Sequence, residues 1–286
     1  MRIKLLILFV ILFNGFVISV DSSPKSMAYV LQADQLDNKD NVVDLLTNSA
    51  RDLIVVDANY AMGERWAKEE IEMIRNGKDK RVVLAYLSIG EAEDYRDYWD
   101  FGADYLVEEN PYWEGNYKVK YWDSKWQSII LNEVKKIIEL GFDGVYVDGV
   151  DSFEYFEYSD GYWIDYKVNV ETGNSYRMDM VNFVKLISLH SDIIIPNNGY
   201  QLLVFEDYRD IIDGQGIESY FYDVNKAKSR NEKKYVKKYL DLLDKPVFDI
   251  EYSNIKRIQR YIQRKSRQEG FVVLITDIGL SSLGKS

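Results

Sequence analysis

The chain has 286 residues, is 47% apolar and carries a net charge of −11. It can bury one large core; its acidity argues against a nucleic-acid partner, which needs basic patches, and leaves a cationic ligand open. With no cysteine and one histidine, His190, it has no disulfide, no thiolate nucleophile and no Cys- or His-rich metal site, and a Ser-His-Asp triad would have to use that histidine.

Residues 1–22 read as a secretory signal peptide or an N-terminal anchor. Arg2 and Lys4 precede an apolar run over 5–20, and a polar stretch over 21–25 follows. The expected location is therefore secreted or cell-surface, with membrane contact only through this segment if it is uncleaved. About 16 apolar residues is short for a span. Removing residues 1–20 would leave a charge of −13.

From residue 27 onward, apolar strand-like runs alternate with helix-like segments. Strands are expected at 27–32, 53–57, 82–87, 145–147, 193–195, 214–218, 246–251 and 271–276. Helices are expected at 41–49, 65–76, 123–139, 177–190, 201–212, 231–243 and from a cap at Ser253 to Glu269. Gly77, Gly141 and Gly270 serve as stops. Two long insertions, 90–121 after the third strand and 153–176 after the fourth, are rich in Tyr and Trp. Their length marks them as functional or disordered, and their aromatic content argues against disorder. With 23 Tyr and 6 Trp, the chain is well supplied with residues that suit sugar-ring stacking as well as core packing. Eight such units over 27–286 predict a single α/β domain, a (β/α)8 barrel lacking a helix after its last strand. An open doubly wound sheet is the alternative, but no Gly-rich phosphate loop follows any strand.

In such a barrel the active site lies at the C-terminal strand ends. There the sequence places Asp57, Ser88 and Glu91, Asp148 and Asp151, Asn197 and Asn198, Glu218, Glu251 and Tyr252, and Thr276 with Asp277. This is a carboxylate-rich cup with aromatic walls. Two carboxylates in different environments are the minimal equipment of a glycosidase. The competing reading is that each acid caps a helix N-terminus. A hard, oxygen-loving cation held by Asp57, Asp148, Asp151 and Glu218 is a further possibility. Asp143 precedes its strand, so its expected job is structural.

Two stretches are similar to a known family. Residues 83–96 (VLAYLSIGEAEDYR) with Trp99 resemble the "YLSxGExExYR…W" segment of glycoside hydrolase family 114, and residues 141–151 (GFDGVYVDGVD) resemble its "GFDGxxLDxxD" segment. The resemblance runs from about Tyr29 to Thr276. It implies a (β/α)8 barrel and hydrolysis of α-1,4-linked galactosamine polymers by Asp148 and Glu218. By similarity to α-galactosidase barrels, Asp148 would be the nucleophile and Glu218 the general acid/base. No cofactor and no metal would be required. Around the pair, Asp57, Ser88, Glu91, Asp151 and Asn198 are expected to contact the polysaccharide or oligosaccharide substrate, for which a cationic chain is open. Tyr86, Tyr95, Trp99 and Tyr220 are expected to stack on it or shape subsites. The alternative is a non-catalytic carbohydrate-binding surface protein on the same barrel, in which Glu218 would point away from Asp148.

Overall fold

The computed structural model describes residues 23–77 and 81–286. The leader, 1–22, lies outside the described residues. Among these residues eight parallel strands follow one another in chain order: β1 (Met27–Val30), β2 (Leu53–Asp57), β3 (Val82–Ser88), β4 (Gly144–Asp148), β5 (Ile194–Pro196), β6 (Gln215–Glu218), β7 (Val247–Tyr252) and β8 (Val272–Thr276). Strands β1 to β5 form one ladder and β6 to β8 another. A parallel bridge from Asn197 to Gly216 joins them. At the other seam the tail returns against β8 through an Ile275–Lys285 bridge, and the Leu31 and Gln32 N–H groups donate to the Leu280 carbonyl beside β1.

The result is a (β/α)8 barrel. Inward positions alternate along each strand, as period 2 demands. Met27 and Tyr29, Leu53 and Val55, Leu84 and Tyr86, Tyr146, Ile195, Phe248 and Ile250, and Leu274 form one buried interior cluster. Strand β6 contributes Gly216 to this interior for a steric reason. A Cβ there would sit 2.0 Å from the Tyr146 hydroxyl oxygen.

Around the barrel lie α1 (Lys39–Asn48), α2 (Lys68–Arg75), α3 (Ser124–Glu139), α4 (Tyr176–Ser188), α5 (Glu206–Ile211), α6 (Arg230–Leu240) and α7 (Lys256–Glu269). Asp123 caps α3 by accepting the Lys125 and Trp126 N–H groups, and Gly270 ends α7 in the left-handed conformation. No helix of the described residues is long and apolar enough to cross a membrane. His190 follows the C-terminal end of α4 and donates its N–H to Ile187.

Three expectations need correction. Helix α2 begins at Lys68, because Glu64–Arg65 pairs with Asn59–Ala61 as a small hairpin. The 201–212 segment divides into a 3₁₀ turn (Tyr200–Val204) and α5. Ser253 does not cap α7 directly: the cap position is Ile255, whose N–H Ser253 accepts.

The insertions are ordered. After β3, Glu91–Glu93, Leu106–Glu109 and Asn116–Val119 form a three-stranded antiparallel sheet with Asn116–Val119 in the middle. After β4 come a short helix (Phe153–Glu157) and a hairpin pairing Tyr158–Ser159 with Tyr162–Trp163. The loop that follows is gathered by Asp179, which accepts from Asn169, Thr172 and Asn174. The two insertions meet where Gly90 and Gly149 cross, so close that a Cβ on Gly90 would lie 2.1 Å from the Gly149 carbonyl oxygen. Both glycines flank the end of β4, so this contact fixes where Asp148 emerges.

Candidate active site

Strands β3, β4, β5, β6 and β7 each deliver an inward residue to the cup floor. They are Tyr86, Asp148, Asn197, Glu218 and Tyr252. Asn197 Nδ2 donates both to Asp148 Oδ1 at 3.1 Å and to Glu218 Oε1 at 2.7 Å. One amide nitrogen therefore bridges the two carboxylates, and the oxygens that share it lie at most about 6 Å apart. The other oxygens take phenols: Tyr86 donates to Asp148 Oδ2 at 2.8 Å, and Tyr252 donates to Glu218 Oε2 at 2.8 Å. Asn197 is held in turn by the Tyr146 hydroxyl, which donates to its Oδ1 at 2.9 Å. That bond orients the amide so that its NH₂ faces the carboxylates.

Burial pushes both carboxyls above their ordinary range. At Asp148 the donors Asn197, Tyr86 and the Gly149 backbone oppose the rise. At Glu218 the negative charge of Asp148 adds to burial, and only Asn197 and Tyr252 oppose it. The charge of Glu91 also raises Asp148, so the two differ chiefly in their donors, three favouring the charged form at Asp148 and two at Glu218. Asp151, half-buried beside them, is pushed up to about 8 by burial and by the charges of Asp148 and Glu154.

The pair opens into a cavity of about 1200 Å³ lined by both insertions. Exposed aromatics stand on its rim: Tyr112, 88% exposed, and Trp113 on the first insertion, and Tyr158 and Trp163 on the second. A second cavity of about 700 Å³, with Tyr200, Tyr235, Lys228 and Lys233 on its walls, shares Asp151, Glu154, Asn198 and Glu218 with the first. The two cavities adjoin through these four residues. Among the described residues no group of three or more His, Asp and Glu is placed to hold a metal ion.

The sequence model of Glycoside-hydrolase family GH114 matches residues 21–286. The chain belongs to this family. It is a glycoside hydrolase. An uncharacterized protein of Methanocaldococcus jannaschii is 34% identical over 317 residues, covering 93% of this chain and 88% of the relative. Among solved structures, the glycoside hydrolase domain of PelA from Pseudomonas aeruginosa superposes with a TM-score of 0.70 at 17% identity, over 92% of this chain and 99% of that one. Ega3 of Aspergillus fumigatus, in complex with galactosamine, gives 0.66 at 16% identity, over 91% and 94%. These two likenesses concern the fold.

In this GH114 chain the other expected contact residues fall into two groups. Asp57, Tyr86, Ser88, Glu91, Tyr95, Asp151 and Asn198 line the larger cavity. Tyr220 lines the second cavity, and Trp99 lines neither. Trp99 packs on Tyr117 at 4.7 Å beside the first insertion. Tyr220 is largely buried, edge-on against Phe221 and Phe271.

Several lining residues already have partners. Arg96 forks onto Asp57, with bonds of 2.8 and 2.6 Å, and its Nε reaches Glu93 at 2.7 Å. Tyr95 also donates to Glu93. Asp57 therefore pins the first insertion to β2 rather than waiting for a ligand. Glu91 accepts from Asn110 and Lys118, and Ser88 donates to the Glu91 carbonyl. Tyr86 holds Asp148, so its hydroxyl has a task besides stacking. Asn198 takes a left-handed backbone, φ 57°, and accepts the Glu218 N–H.

Asn197 and Tyr252 were present among the strand-end residues but not singled out. Strand parity is the signal that finds them: each is two residues beyond an interior side chain, Ile195 and Ile250.

Proposed function

We propose that this GH114 hydrolase cleaves an α-linked amino-sugar polysaccharide of the galactosamine type, with Asp148 as nucleophile and Glu218 as general acid/base. The observation that carries this reading is the single Asn197 amide bonded to both carboxylates. It supports a spacing near the roughly 5–5.5 Å of retaining glycosidases and short of the roughly 6.5–9.5 Å that leaves room for an inverting water.

In this mechanism an oxygen of Asp148 attacks the anomeric carbon. Glu218 gives its proton to the departing glycosidic oxygen, and a glycosyl ester forms on Asp148. Glu218, now a carboxylate, takes a proton from water as that water attacks the same carbon and releases Asp148. Tyr86 and Asn197 hold the nucleophile, and Tyr252 and Asn197 hold the acid.

The galactosamine bound to Ega3 supports an amino-sugar substrate. The −11 charge and the acidic cup suit a cationic chain. Two adjoining cavities at the pair, the larger with an aromatic rim, suit a polymer. A secreted or cell-surface location, reached through residues 1–22, fits a substrate of this size.

The test is release of reducing ends from a panel of de-N-acetylated galactosamine polymers and neutral α-linked polymers. The reading expects cleavage of the amino-sugar chains and loss of it in Asp148→Asn and Glu218→Gln. Wild-type turnover by either variant overturns the assignment.

A further inference from the structure

Four tyrosines reach the cup floor from the interior faces of their strands: Tyr29 on β1, Tyr86 on β3, Tyr146 on β4 and Tyr252 on β7. Three of their hydroxyls are engaged, on Asp148, Asn197 and Glu218 respectively. Tyr29 is different. It is 1% exposed, and its ring packs against Tyr146 at 5.1 Å and Tyr86 at 6.2 Å. It lines the large cavity, and the negative charges of Asp148 and Glu218 both act on its hydroxyl. Yet that hydroxyl makes no hydrogen bond with any described residue, nor is it sealed away from the cavity. A phenol whose ring is buried while its unpartnered hydroxyl faces the cavity is placed to bond what enters there.

We infer that Tyr29 is a sugar-contacting residue, whose phenolic O–H donates a hydrogen bond to an oxygen of the amino sugar held over Asp148. The inference rests on the catalytic reading of Asp148 and Glu218. Its chemical logic is a shortage of donors. An amino sugar brings N–H and O–H donors, which a carboxylate-rich cup accepts readily, but its hydroxyl and ring oxygens also need donors. Tyr86, Asn197 and Tyr252 already give their protons to the catalytic carboxylates. Arg96 gives its protons to Asp57 and Glu93. Tyr29 still has its proton to give. Burial beside two acids keeps the phenol neutral, and so a donor, at any working pH.

Tyr29→Phe removes only the oxygen. We expect kcat/KM on galactosamine oligomers to fall about tenfold, the scale of one lost ligand hydrogen bond, with Tm unchanged or higher. Tyr146→Phe is the comparator: it frees a buried Asn197 oxygen and lowers Tm. Calorimetric titration of a galactosamine tetrasaccharide into Glu218→Gln, with and without Tyr29→Phe, reads the same bond without turnover. Roughly tenfold weaker binding is expected from the Tyr29 change. Wild-type kcat/KM in Tyr29→Phe, a Tm loss like that of Tyr146→Phe, equal affinities, or no binding by either protein overturns the inference. Wild-type turnover by Asp148→Asn would instead overturn the catalytic reading on which it rests.

Discussion

Acids stand at both ends of the barrel, and they are held in opposite ways. At the N-terminal end Asp52, Asp143 and Asp213 each precede a strand and accept a backbone N–H from the start of the strand before it: Lys25 at 2.8 Å, Val83 at 2.8 Å and Ile194 at 2.9 Å. At the C-terminal end Asp148 and Glu218 are held chiefly by side chains, two phenols and one amide. A backbone donor fixes a carboxylate as part of the sheet. Side-chain donors leave its proton affinity to be set by neighbours, and here burial raises it at both positions. What Asp52, Asp143 and Asp213 share is the backbone donor, although Asp143 also pairs with Arg75 and burial also raises Asp213.

Exchanging the two ends gives the largest expected effects. Glu218→Gln should lower kcat on the order of 10²–10⁴-fold, and Asp148→Asn at least as much. Neither should lower Tm near neutral pH. Both acids bind protons more tightly folded than unfolded, so ionising them costs stability as pH rises, and a neutral isostere removes that cost. Asp143→Ala should do the reverse. It should keep kcat and lose about 1–3 kcal/mol of stability in urea titration, because the Val83 N–H loses its acceptor. Loss of kcat without loss of stability in Asp143→Ala would break the contrast.

Asn197→Ala tests the bridge. Its amide lowers the proton affinity of both carboxyls, so its removal should move both limbs of the pH–rate profile to higher pH. It should also lower kcat/KM on the order of 10²-fold, as expected for a lost positioning contact. An unmoved profile would mean that the amide does not tune the pair.

Asp151 sharpens the comparison further, since its carboxyl, pushed up to about 8, is protonated at neutral pH. Below that pH Asp151→Asn should change kcat little. Above it the wild type gains a further negative charge beside the pair and should lose activity, while the variant holds its rate. The unfolded state releases this proton at an ordinary carboxylate pH, so wild-type stability falls as pH rises from about 4 to about 8. Asp151→Asn should make that slope shallower in melting curves. The smallest effect is expected from Tyr252→Phe: a loss under about tenfold in kcat, the scale of one hydrogen bond, with the alkaline limb moved up because Glu218 loses a donor that favours its charged form.

The barrel was legible because each strand is a short apolar run and each helix carries its own period and stop. Asp148 was legible as an acid ending such a run, and Asp143 as one preceding it. The sheet in the first insertion was hidden because Glu91–Glu93 and Asn116–Val119 are polar and aromatic on both faces, which leaves no alternation to read. Trp99, read toward the sugar, packs on Tyr117 instead for a related reason. An aromatic near a strand end serves a core as well as a sugar, and only the turn that follows decides where it points. Asp57 looked available until Arg96, 39 residues on, folded back onto it. Tyr29 lies inside an apolar run, where nothing local marks its hydroxyl as uncommitted.

The central claim is that Asp148 and Glu218 act as a closely spaced pair bridged by Asn197. Proton NMR of the first product released from de-N-acetylated α-galactosamine oligomers tests it most directly. The account predicts that the α-anomer appears first and then mutarotates. Release of the β-anomer first, or no cleavage at all, would contradict it.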